Sequence, residues 1–105
     1  MFSLNPKPVF WVPVRLTVPG EPEPATLELQ FAHMATDQLK SWVDDAKERA
    51  TNDADTIRTI VRDWRGVDAE FSEAALAQLV RNYPASAAEI FEQYLRALTE
   101  SRTKN

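Results

Sequence analysis

The sequence predicts an α+β fold: an N-terminal antiparallel β-hairpin followed by about four α-helices. Three observations carry this expectation. Residues 12–18 and 26–31 alternate apolar and polar side chains, the period-two pattern of half-buried strands. From Thr36 onward the apolar residues recur at three- and four-residue spacing, the period of helices with one buried face. The chain has 105 residues, 44% of them hydrophobic, which suits one small domain with a modest core. Residues 1–105 are therefore expected to form a single domain, with an extended arm at 1–11 and a frayed polar tail at 100–105.

Taken in order, the arm carries Pro6 and Pro8. The first strand turns Val12, Val14, Leu16 and Val18 one way and Pro13, Arg15 and Thr17 the other. Pro13 has no N–H to donate, so the strand belongs at an edge, or has its proline on the edge side. The stretch "PGEPEP" is a loop, longer than the tightest hairpin turns. The second strand turns Leu27, Leu29 and Phe31 inward.

The first helix is expected over 36–51, with Thr36 as N-cap and Leu39, Trp42, Val43, Ala46 and Ala50 on its buried face. A second helix over 55–65 would bury Ile57, Ile60, Val61 and Trp64. Gly66 would stop it, and Val67 would fold back as the apolar contact of a Schellman motif. Ser72 is an N-cap candidate for a third helix over 72–81. Phe71 before it and Leu76 at the fourth helical position would form a hydrophobic staple. The last helix, over 84–102, would start at Pro84 or at a Ser86…Glu89 capping box. It presents Ile90, Phe91, Tyr94, Leu95 and Leu98. On this reading Trp64, Gly66, Val67, Phe71 and Ser72 form a structural joint between helices.

The inventory of reactive groups is thin. There is no cysteine, which removes disulfides, thiolate nucleophiles and zinc–thiolate sites together. His33 is the single histidine and is expected at the boundary after the second strand. None of the serines sits in a G-x-S-x-G elbow, and two glycines make no phosphate loop or dinucleotide fingerprint. Asp44 and Asp45 point about 100° apart on a helix. Asp53 and Asp55 flank a helix start, where negative charge is favoured anyway, and Asp68 and Glu70 sit in a loop. No catalytic residue, cofactor-binding residue, metal ligand or cofactor is predicted, and the chain is not expected to be an enzyme. The formal net charge of −4 speaks against nucleic acid, whose phosphates need a basic patch. No apolar run reaches the roughly 20 residues of a membrane span. The start lacks the layout of a signal peptide, so an intracellular protein is expected.

Phe10 and Trp11 must point to opposite sides of an extended chain, so at least one lies off the core face. They are candidates for a partner contact, with the exposed side of the last helix around Tyr94 as a third. An unpaired hairpin edge would also let copies associate side by side.

The order of three segments is familiar: "NPKPVFWVPVRLTVPG", then "ATLELQFAHMATDQL", then "IVRDWRGVDAEFSEAALAQLVRNYPASAAEIFEQYLRAL". Together they resemble the tail assembly chaperones of long-tailed phages and prophages, over nearly the whole chain. The most telling part is "WRGV", then "FSEAAL", then "YP" before an aromatic-bearing last helix. The resemblance implies a non-catalytic protein that associates with the tape measure protein. Such a chaperone keeps its client soluble and extended in the host cytoplasm while tail tube subunits polymerise around it. It is then displaced and is not in the mature virion. It also implies contact with the tail tube protein through a frameshifted longer form of which this chain is the short version, and self-association along the client is expected with it. The alternatives are a small structural or connector protein retained in the virion, and an intracellular protein-binding adaptor.

Overall fold

The alternation in the first third builds two strands, as expected. The computed structural model describes residues 1–49 and 54–100. In it, β1 (Val9–Leu16) pairs antiparallel with β2 (Ala25–Ala32), from Val9 opposite Ala32 to Leu16 opposite Ala25. The strand starts three residues earlier than the alternation suggests, so Val9, Phe10 and Trp11 are sheet residues and the arm is confined to residues 1–8. In the loop between the strands, Glu21 N–H bonds to Val18 C=O at 3.0 Å, and Gly20 has φ +84°. Proline then glycine at the two central positions is the signature of a type II turn, where glycine accepts the positive φ.

Pro13 sits where a missing donor costs nothing. The N–H and C=O of Arg15 both point away from β2, to the side-chain amide of Gln93. Backbone polar groups alternate in direction along an antiparallel strand. Pro13, two residues from Arg15, therefore turns its nitrogen to the same outer edge.

The second predicted helix is the main correction. The described part of 55–65 is a short helix, α2 (Ala54–Arg58), followed by a third strand, β3 (Val61–Arg65). The strand order is β1-β2-β3, with β3 antiparallel to β2. Gln30 faces Asp63 while Phe31 faces Val61, so β3 carries one extra residue, Arg62. In a regular strand Val61 and Trp64 would lie on opposite faces. The bulge returns both to the core, and the resulting three-residue spacing imitates a helix. Gly66, with φ +84°, therefore ends a strand, and Val67 belongs to no Schellman motif. It packs, half-buried, against the core from the loop that follows.

The other helices follow the sequence more closely. In α1 (Thr36–Arg49), Thr36 is the first helical residue rather than the cap. Gln38 Oε1 accepts from Ala35 N–H, the return half of a capping box. Ser72 caps α3 (Glu73–Asn82), its hydroxyl accepting from Ala75 N–H at 3.0 Å. The helix α4 (Ser86–Thr99) has Ala85 at the cap position and no side-chain cap. The expected Ser86…Glu89 box does not form. Ser86 is buried with no partner for its Oγ among the described residues, and the Glu89 carboxylate goes to Thr17 instead. The expected helix residues Ala50 and Thr51, the helix-start Asp53 and the tail beyond Glu100 lie outside the described residues.

One face of the sheet carries the core. Val12, Val14, Leu16, Leu27, Leu29, Phe31, Val61 and Trp64 meet Ile57, Ile60, Leu76, Ala87, Ile90 and Tyr94. Trp64 lies opposite Leu29 and meets Phe71 edge-on at 5.2 Å. Its Nε1–H bonds to Ala69 C=O at 2.8 Å.

Two stability outcomes follow from this core. Trp64→Ala removes a buried ring and leaves Ala69 without its donor, so it is expected to cost about 3–5 kcal/mol in urea or thermal unfolding. Unchanged stability would contradict the packing described. Tyr94 is fully buried, and its pKa is pushed up to about 12 by burial, partly opposed by the Arg62 guanidinium. The unfolded value is about 10. A raised folded pKa means that the contribution is complete below about pH 10 and is lost as pH rises towards about 12. Melting of the native chain should therefore fall over that window more steeply than that of Tyr94→Phe. Parallel pH profiles for the two proteins would contradict it.

Candidate partner-binding surface

The three residues expected at a partner contact lie in different places. Tyr94 is fully buried on α4. Its ring contacts Phe31 at 4.9 Å, Phe10 at 6.5 Å and Trp42 at 5.4 Å. Its hydroxyl donates to Ala32 C=O at 2.7 Å. Phe10 is half-buried on the inward face of β1, against Phe31 and Tyr94. Both therefore belong to the core rather than to the surface that the sequence suggests. Trp11, one residue on, is on the opposite face of the sheet. The Arg65 guanidinium stacks on its ring at 3.8 Å, and Arg65 also pairs with Glu28 at 3.8 Å. Such a cation over an indole holds the ring in place while leaving its edge to solvent.

Strand pairing with a partner is restricted at both sheet edges. On β1, Arg15 is taken by Gln93, and just past its end Thr17 N–H and Oγ1–H bond to the Glu89 carboxylate at 2.9 and 2.6 Å. Pro13 offers no donor. Glu89 and Gln93 stand four apart on α4, hence on one face, and together act as a substitute strand. On β3, Trp64 lies opposite Leu29 with its N–H facing outward, and the Asp63 carboxylate accepts that N–H at 2.8 Å. A short, bulged strand with a capped amide is a poor template for further pairing. The open stretch is Val9–Trp11.

A groove of about 510 Å³ opens where β1 ends and β2 begins. Leu16, Leu27 and Trp64 form its floor, Val67 one wall, and Ala75 and Leu79 of α3 the other. Ser72 and Phe71 matter here indirectly: the cap sets where α3 starts, and Phe71 braces Trp64 below. Gly66 also lines the groove, and a side chain there would touch Leu27 at about 3.7 Å. A second cavity of about 420 Å³, with Glu21, Glu23, Glu89 and Arg96 on its walls, adjoins it across Val18. Little in the sequence points to the groove, because its lining comes from four separate segments. Beyond the opposite end of β1, Phe2 and Leu4 of the arm are 88% and 89% exposed.

His33 is exposed just after β2, its backbone N–H bonded to Pro8 C=O. Among the described residues, no three His, Asp or Glu side chains come together as a metal ion would need. No described helix is long and apolar enough to cross a membrane.

No curated protein and no solved structure matches the chain. The family model described as phage tail assembly chaperone matches residues 1–105. That match spans every element described above, and the chain belongs to the phage tail assembly chaperone family.

Proposed function

We propose that this chain is a non-catalytic chaperone that binds the tape measure protein and keeps it soluble while the tail tube assembles around it. The observation that carries this reading is the family match along the whole chain. The surface is consistent with it: an acidic chain of net charge −4 that leaves aromatic and aliphatic side chains accessible at Trp11, at the arm and in the groove. A long helical client rich in apolar residues calls for that kind of surface. The acidic balance disfavours phosphate and hence nucleic acid. The chain acts in the host cytoplasm, self-associates along the client, and leaves before the virion matures. A frameshifted longer form would bring the tail tube protein to the same complex.

Of the three residues first considered for the contact, Trp11 is the one that we place at the client. Its ring is held by Arg65 on the face away from the core, so it can be removed without opening the core.

Co-expression with the tape measure protein of the same phage tests the reading. The client is expected in the soluble fraction and to co-purify with this chain, and to pellet without it. Trp11→Ser should melt within a few degrees of the native chain yet retain the client at least about tenfold less well, the usual effect of truncating an interface anchor. A client equally soluble without the chain would sink the reading. So would abundant chain in purified mature particles, which points to a structural tail protein.

A further inference from the structure

We propose that copies of this chain join head to tail, with the arm at residues 1–8 of one copy seated in the groove beside α3 of the next. The proposal rests on the reading that the chain self-associates, and it specifies how.

The arm has the properties of a docking segment. Phe2 and Leu4 are almost fully exposed, although an apolar side chain gains by leaving water. The Ser3 hydroxyl donates to Asn5 C=O and accepts from Asn5 N–H, which fixes the backbone between the two apolar side chains. Pro6 and Pro8 stiffen the stretch that follows. A segment already restricted loses less entropy on binding than a floppy one.

The groove has matching properties. Its volume of about 510 Å³ falls in the range of roughly 300–1,000 Å³ typical of pockets that take small-molecule ligands, enough room for one or two side chains. Leu16, Leu27, Trp64, Val67, Ala75 and Leu79 give it an apolar lining, with Thr26, Gln78 and Asn82 as its polar part. Charge agrees as well. Lys7 is the single charged side chain in residues 1–14. The groove is bordered by Asp68, and Glu21 and Glu23 line the cavity that adjoins it.

Position decides the symmetry. The arm precedes Val9 and the groove begins at Leu16, at opposite ends of the eight residues of β1, roughly 23 Å apart at the rise of a strand. In a one-way docking two different patches meet, and each docking leaves one free arm and one free groove. A contact of that kind repeats into an open chain or a ring rather than stopping at a two-fold dimer. A linear array would suit a partner that is itself long. It also avoids strand addition, which the closed sheet edges disfavour.

The experiment is a mixing test read by light scattering and sedimentation velocity across a concentration series. One variant loses the arm's anchors, Phe2→Ser with Leu4→Ser. The other blocks the groove, Leu79→Lys, with Val67→Lys in its place should the first fail to fold by circular dichroism. The native chain is expected to grow in mass beyond a dimer as concentration rises. Each variant alone should stay monomeric at tenfold or more above the concentration where the native chain assembles. Mixed together, they should form a dimer and nothing larger, since one intact groove then meets one intact arm. Native assembly that neither variant alters would overturn the arm-and-groove contact and leave self-association standing. Variants that fail to pair on mixing would also overturn it, as when the arm occupies the groove of its own chain or the contact is two-fold. A native chain that is monomeric throughout would overturn self-association too. Client solubility, measured separately by co-expression, stays independent of all these outcomes.

Discussion

The structure depends on how α4 is fastened to a sheet too small to stand alone. Three short strands cover little apolar surface by themselves, and α4 supplies two kinds of attachment. Ile90 and Tyr94 enter the core, while Glu89 and Gln93 grip the edge of β1. Tyr94 links the most elements. It touches Phe10 of β1 and Phe31 of β2, bonds to the end of β2 at Ala32, and meets Trp42 of α1. Trp42 in turn stacks on Phe91 at 4.8 Å and donates to the Thr59 hydroxyl. Without the Tyr94 ring, α1, α4 and the hairpin would lose their common neighbour.

The fastening of α4 also settles how the molecule can meet others. A three-stranded sheet has two edges, and an open edge invites any extended chain to pair with it. Here Gln93, Glu89 and Pro13 occupy most of one edge, and the bulge with the Asp63 cap blunts the other. Apart from the short open stretch at Val9–Trp11, what remains accessible is side-chain surface: the indole of Trp11, the apolar arm and the groove against α3. A chaperone benefits from this arrangement. On the proposed reading, it would hold apolar client surface through side chains that release it, instead of through a backbone ladder that would add strand to strand.

Much of the fold was legible in the sequence because local signals agreed with the tertiary answer. The strict alternation in β1 and β2, the edge position implied by Pro13, the Ser72 cap and the apolar face of the last helix all appear in the structure. The failures have physical causes. Val61 and Trp64 share a face through a bulge that only the pairing with β2 creates, so a strand presented the spacing of a helix. Glu89 stands where a capping box would put it, yet the unpaired Thr17 amide was the stronger attraction. Phe10 and Trp11 were rightly divided between two faces, but the sequence could not say which was inside. Tyr94 carries a polar tip that suits a surface, and its burial depends on Ala32 C=O being within reach at the end of β2. The groove is assembled from the ends of three strands, a loop and a helix, and no single stretch contains its pattern.

The molecule covers most of its own sheet edges, which leaves side chains as the means of meeting partners. Amide hydrogen exchange, compared between the dilute monomer and the assembled chain, tests this most directly. The amides of Arg15, Thr17 and Trp64 should be protected already in the monomer and change little on assembly. New protection should fall on residues 1–8 and on the segment 66–79. Protection gained instead at Val9 and Trp11, with the arm and groove unaltered, would mean that copies add strand to strand, and would contradict the account.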